Sequence, residues 1–195
     1  MQPMARINPH IRSPAFTDYI RRACAATAPH YVRGKAWEAL MFRALQTTDP
    51  SAPLWWDPKS NRSGIDLAYD GAGYSLKTTT LRTPTTKVAH LHSYKMARCR
   101  SDKDAIAEID RPHRHNFDWY SILANNAVDP LDPRLYILSS DLTLARRFDW
   151  DYSDGRLMTD KKNGVRLEIY KKNEKRMLMV HIDYTAPQIE EGRII

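Results

Sequence analysis

Cysteine is scarce in this chain. Cys24 and Cys99 are the only two, far apart and without CxxC spacing, which excludes a disulfide framework and a zinc ribbon. Nor is there an apolar run approaching the ~20 residues of a membrane helix, and the opening MQPMARINPHIRSPAF lacks the continuous apolar segment of a secretory leader. These absences predict a chain that stays in the reducing cytoplasm where it is made, with no membrane partner. Internal repeats and low-complexity tracts are missing too, so residues 1–195 read as one domain with a helical N-terminal part. Its 42% hydrophobic and 27% charged residues are an ordinary balance for a folded core.

The more informative shortage is of negative charge. From Gly71 to Ser101 there is no Asp or Glu, while Lys77, Arg82, Lys87, Lys95, Arg98 and Arg100 fall inside that stretch, with His90 and His92 among them. The whole chain carries a formal charge of +7, but it is the lopsided distribution that points to a partner. Cations interspersed with Thr, Ser and Tyr donors suit a polyphosphate backbone, which rewards charge by counterion release and hydroxyls by hydrogen bonds.

Local patterns place the elements. Ser13 followed by Pro14 is an N-cap with a proline at the first helical position, opening a short helix over SPAFTDYIRRACAATA. Thr27 is read as the cap of a second helix over APHYVRGKAWEALMFRALQ, where Trp37, Leu40, Met41, Ala44 and Leu45 form an apolar stripe. A loop with Pro, Ser and Asn follows, then a hairpin, IDLAY, DGAG and YSLKTTT. The segment AHLHSYKMARCR suits either a helix or a strand, SDKDAIAEID a helix capped by Ser101, FDWYSILAN and RLYILSSDL strands, and GVRLEIYKKNEKRMLMVHIDY a hairpin with a charged tip. Helices first and strands later predict an α/β (α+β) domain around one sheet.

With the hairpin turn centred on Gly71 and Ala72, Asp66 faces Lys77 with Cβ atoms roughly 5 Å apart, and Ile65, Leu67, Tyr69 and Leu76 point the other way. An exposed cross-strand ion pair is worth less than ~1 kcal/mol, so the pair alone argues little. A third residue adds weight. At about 100° per residue Glu38 falls within the apolar stripe of the second helix, and a carboxylate facing a core needs a partner. Arg33, Lys35 or a metal ion shared with Asp66 would serve.

Taken in order, RGKAWE (Arg33 to Glu38), GID (Gly64 to Asp66) and SLK (Ser75 to Lys77) resemble the PD-(D/E)xK nuclease superfamily: a helix bearing Glu, a strand bearing Asp, then a strand with an acid, a spacer and Lys. The first element is similar to the RGxxxE helix of archaeal Holliday-junction resolvases. Over residues 30–80 the resemblance implies a restriction-endonuclease-like central mixed sheet flanked by helices. It also implies a Mg2+ site on Asp66 and Glu38, with Lys77 and Ser75 completing the catalytic set. Ser75 departs from the pattern, standing where the family has Asp or Glu, as in some restriction enzymes whose missing acid comes from a helix. Glu38 would fill that gap, with Asp70 as the second candidate.

The expected activity is Mg2+-dependent hydrolysis of double-stranded DNA by a small type II restriction endonuclease, acting as a homodimer on a palindromic site. DNA contacts are assigned to Lys59, Asn61 and Arg62 before the hairpin, to Thr78, Thr79, Arg82 and Lys87 after Lys77, and to His90, His92, Lys95 and Arg98. A junction resolvase is the enzymatic alternative, and a DNA-binding protein without catalysis the other. The pairs His90/His92 and His113/His115 permit chelation on a strand but lack a Cys or acid at a supporting spacing. Trp55 and Trp56 suit either base stacking or anchoring of a loop.

Overall fold

The computed structural model describes residues 7–27, 31–57, 65–82, 88–96, 99–112, 116–129, 131–154, 156–172, 175–183 and 190–193, with backbone alone for 88–96, 172, 175 and 190–193. Three helices and two sheets are present among them: α1 (Pro14–Thr27), α2 (Lys35–Thr48), α3 (Asp102–Ile109), and strands β1 (Leu54–Trp55), β2 (Leu67–Tyr69), β3 (Ala72–Leu81), β4 (Val88–Met96), β5 (Trp119–Asn126), β6 (Arg134–Ser139), β7 (Trp150–Ser153), β8 (Arg156–Thr159), β9 (Val165–Lys172), β10 (Lys175–Asp183) and β11 (Glu190–Arg193). The first sheet runs β1-β2-β3-β5-β6-β11 and the second β4-β10-β9-β8-β7.

The expectation of one sheet is therefore corrected to two. After β3 the chain enters the second sheet as β4, passes through α3, and returns as β5 parallel to β3. Parallel neighbours require such a crossover. The first sheet is mixed, because its other pairings are antiparallel.

Two apolar clusters define the layers. Phe16 and Ile20 of α1 and Trp37, Met41 and Leu45 of α2 pack on Leu67, Tyr69, Tyr74, Leu76 and Leu123 of the first sheet. The opposite face, through Tyr120, Ile122, Ala124 and Leu138, meets Val165, Leu167, Leu178 and Val180 of the second sheet, joined by Ala105 and Ile109 of α3. Strand β5 is covered on both sides, which explains why its sequence reads as a nearly continuous apolar run instead of an alternating one. Trp37 is completely buried, and its indole N–H donates to the Ser121 carbonyl of β5 at 3.3 Å, pinning α2 to the sheet.

The helix starts were legible to different degrees. Ser13 accepts from the Phe16 N–H at 3.2 Å, as a cap should, and α1 begins at Pro14. At Ser101 the full capping box forms, with Asp104 returning a bond to the Ser101 N–H. The second helix begins later than expected, at Lys35 and not behind Thr27, because Gly34 takes φ 48° and sets a break before it.

The hairpin turn also differs. Observed pairs are Leu67 with Tyr74, Ala68 with Gly73 and Tyr69 with Ala72, so the two turn residues are Asp70 and Gly71, at φ 48° and 78°. Both positive values mark the type I′ turn that Asp-Gly favours, since its twist matches that of the strands. The pairing has moved by two positions from the expected one, and an even shift keeps every side chain on its face. Gly71→Ala is expected to destabilise the fold by about 1 kcal/mol. Nothing lies within 4 Å of an added Cβ, so only backbone strain contributes. A fall in the urea midpoint at unchanged slope checks this.

Candidate active site

Strand β2 is short, and its ladder with β3 ends at Leu67 and Tyr74. Just before it, the chain bends at Asp66, whose N–H still donates to the Tyr74 carbonyl at 2.8 Å. From Leu76 onward the β3 edge on the β2 side has no strand partner among the described residues, while β5 continues along the other edge as far as Leu81. The Asp66 side chain takes over there. Its Oδ2 accepts the Leu76 N–H at 2.7 Å, so a carboxylate replaces the missing strand carbonyl and is fixed in place by the backbone it completes.

Two further donors converge on the same oxygen, the Ser75 hydroxyl at 3.2 Å and the Lys77 ammonium at 3.4 Å. Lys77 also donates to Ser75 Oγ at 2.7 Å and to the Leu76 carbonyl at 3.2 Å. Ser75 is buried, whereas the Lys77 and Asp66 side chains keep 19% and 22% of their exposure, enough for a ligand to reach both charges. Asp66 Oδ1 accepts nothing among the described residues and is the atom left for a ligand. The expected face-to-face pairing of Asp66 with Lys77 is corrected: the turn shift brings Asp66 level with Ser75, and Lys77 reaches back to it from one row further along.

Glu38 is buried in the first turn of α2, as its place in the apolar stripe implied. Its Oε2 is held by Lys35 at 2.7 Å, one of the partners anticipated from the sequence, and no hydrogen bond joins it to Asp66 among the described residues. Glu38 sits on α2, which packs on the Tyr74 and Leu76 face of the sheet and is tied to β5 by the Trp37 bond to Ser121, whereas Ser75 and Lys77 take the alternate face. Asp70, the second acid considered, sits in the turn and accepts from Asn8 Nδ2 at 2.8 Å, outside the cluster.

The residues assigned to DNA divide in three. Thr79, by strand alternation, shares the face of Ser75 and Lys77, Thr78 takes the opposite face, and Arg82 is exposed just past the strand. His90, His92 and Lys95 lie on β4, whose backbone pairs with β10. Lys59, Asn61, Arg62, Lys87 and Arg98, as well as His113 and His115, lie outside the described residues. Trp56 packs against Phe42 at 5.0 Å between ring centroids, which supports the anchoring reading, while Trp55 is 44% exposed.

No group of three or more His, Cys, Asp or Glu able to hold a metal ion occurs among the described residues. The oxygen donors gathered at this point are instead hard ones, the Asp66 carboxylate and the Ser75 hydroxyl. That set suits Mg2+, which keeps several waters and is bound through one or two carboxylates plus substrate phosphates. It does not suit a softer metal that needs imidazole or thiolate.

Sequence reasoning passed over one charged cluster, on the second sheet. Glu168 of β9 is 2% exposed and is bonded through Oε1 to Arg156 at 3.2 Å and through Oε2 to His181 Nε2 at 2.8 Å. The sequence signal was faint, because Glu168 alternates with apolar residues like any solvent-facing strand residue, and nothing local reveals its burial. No helix among the described residues is long and apolar enough to cross a membrane. No family model matches the chain, and neither a curated protein nor a solved structure matches it.

Proposed function

We propose that the chain is a Mg2+-dependent endonuclease of the restriction-endonuclease-like fold acting on double-stranded DNA, most consistent with a small type II restriction enzyme working as a homodimer. The observation that carries the reading is the convergence of Lys77 and Ser75 on one oxygen of Asp66, at the point where β2 leaves β3. The run of sequence free of acids and rich in cations begins on the same strand with Lys77 and Arg82, a charge pattern that suits a phosphodiester backbone. The order of a Glu-bearing helix, an Asp and a Lys-bearing strand in a mixed sheet adds support.

Phosphodiester hydrolysis requires charge neutralisation at phosphorus and a positioned water. Asp66, with Glu38 once released from Lys35, would hold Mg2+, which supplies Lewis-acid stabilisation of the phosphoryl oxygens. Lys77 carries the remaining positive charge at the reacting phosphate, and its contacts with Ser75 Oγ and the Leu76 carbonyl keep the ammonium aimed at the cluster. The Leu76 N–H fixes the Asp66 rotamer, so the carboxylate is oriented before any ligand arrives. Half-buried surroundings exclude part of the water and strengthen each of these interactions.

The test is supercoiled plasmid incubated with Mg2+. Discrete fragments support the restriction enzyme, and cutting confined to four-way junctions replaces it with a junction resolvase. Salt-sensitive retention without cutting replaces it with a binding protein, a reading that the engagement of Glu38 by Lys35 favours. On the proposed reading, Glu38→Gln raises the Mg2+ concentration for half-maximal cleavage by about tenfold or more. An unchanged Mg2+ titration assigns Glu38 to its ion pair alone.

A further inference from the structure

We propose that the turn leading into α2 is a further phosphate-contact surface: Arg33 and Lys35, held beside the end of β3, continue the DNA track that Lys77 and Arg82 begin. It rests on the proposed action on DNA and adds residues to which the sequence pattern assigned no DNA contact.

Buried Asn125 of β5 is the first support. It is 5% exposed, is registered with Thr80, and its side-chain amide donates to the Thr79 carbonyl at 3.2 Å and to the Val32 carbonyl at 3.0 Å. One amide nitrogen thus ties the segment before α2 to the strand that carries Lys77. Val32 is itself buried, so Arg33, the next residue, emerges from a fixed point beside the end of β3. Lys77 to Thr80 spans about 10 Å at the strand rise, the axial length of about three nucleotides on one strand of a duplex. A phosphate backbone can therefore meet both ends of the track.

The second support is the freedom of the two cations. Arg33, Gly34 and Lys35 are all exposed. Gly34 takes φ 48° with nothing within 4 Å of an added Cβ, so the chain turns through open space that a ligand can enter closely. The Arg33 guanidinium lies 5.5 Å over the Tyr31 ring, and no carboxylate pairs with it among the described residues. Stacking of this kind orients the planar fork while its N–H donors stay available. Lys35 gives one bond to Glu38 and its side chain remains 57% exposed, with further ammonium donors left over.

The surroundings have the matching chemistry. Thr78 and Thr80 alternate onto the α2 face of β3 and are half-buried, and Arg82 is exposed just beyond them. Cations among hydroxyls are the groups that contact phosphate and sugar. The β5–β6 loop bounds the surface, since the Ala127 N–H donates to the Leu81 carbonyl at 2.9 Å. Its acids are engaged there, Asp132 with Arg134 at 3.8 Å and Asp129 with the Leu131 N–H at 3.0 Å.

The experiment is fluorescence anisotropy of a labelled duplex with the full chain in EDTA, repeated across KCl concentrations, so that binding is read without cleavage. Arg33→Gln combined with Lys35→Gln should reduce the slope of log affinity against log salt by about 1–2, since each phosphate contact contributes about 0.9. Arg33→Lys should keep the slope of the unaltered chain. Arg43→Gln combined with Lys103→Gln removes two exposed cations from elsewhere on α2 and α3 and should leave the slope unchanged at the same net charge as the first variant. An unchanged slope in the Arg33/Lys35 variant, or an equal fall in the Arg43/Lys103 variant, overturns the surface, and cleavage retained in Mg2+ then leaves the proposed function standing. The expected fall in a chain that cuts nothing keeps the surface and removes the nuclease reading. Absence of duplex binding by the unaltered chain removes both.

Discussion

Lys77→Met is expected to reduce DNA cleavage by about 100- to 1,000-fold, the scale on which loss of one charge-stabilising donor acts at a reacting centre. Met retains the aliphatic stem, so packing along β3 changes little while the ammonium disappears. Duplex affinity at fixed salt should fall only a few-fold, since Lys77 contributes one charge among the many of the basic run. The competing structural role makes an opposite pair of statements. As a stabilising tie alone, a partly exposed Lys–Asp pair is worth under ~1 kcal/mol, so its removal would lower the unfolding midpoint slightly and leave turnover intact. Measuring single-turnover cleavage and urea unfolding on the same preparation separates the two.

The second large effect is on stability. Trp37→Ala should cost about 3–5 kcal/mol, a substantial part of the 5–15 kcal/mol that holds a typical domain together. Trp37 is fully buried between α2 and the first sheet, and its indole also donates to Ser121 on β5. Trp37→Phe should recover most of the packing and lose mainly the hydrogen bond, about 1 kcal/mol. Glu38 is the next residue of α2, so on the proposed reading Trp37→Phe is also expected to loosen its placement and raise the Mg2+ requirement. Equilibrium unfolding of both variants checks the ranking.

What the sequence disclosed depended on whether the deciding interaction was local. Ser101 and Asp104 close their capping box within one turn, and the β9–β10 hairpin carries its alternation in adjacent residues, so both were legible. The β2–β3 turn was read two positions off because Asp70 at φ 48° makes Asp-Gly the turn pair, a choice that competes with Gly-Ala on nearly equal terms in composition. Strands β7 and β8 were not read as strands at all: Trp150–Ser153 and Arg156–Thr159 are short, with Leu157 in the inter-sheet core and Trp150 packed against it.

The same division applies to the candidate site. Asp66, Ser75 and Lys77 were brought together by strand alternation and survived the register error because the shift was even. The capture of the Leu76 N–H by Asp66 was not legible, since it depends on β2 ending where it does. Burial of Glu38 followed from helical spacing, but its pairing with Lys35 was one of three open choices. Glu168 and His181 meet across two strands on the outer face, and their association depends on register, which no local pattern encodes.

The central claim is that the Asp66 carboxylate, fixed by the Leu76 N–H of β3 beside Lys77, is a phosphodiester-cleaving centre. Single-turnover cleavage of duplex DNA by the unaltered chain and by Asp66→Asn, in Mg2+ and in EDTA, tests it most directly, with duplex binding followed in parallel. The account predicts cleavage by the unaltered chain in Mg2+ alone, and none by Asp66→Asn at nearly unchanged affinity. Equal cleavage by both proteins, or DNA binding by both with no cleavage in any metal condition, would contradict it.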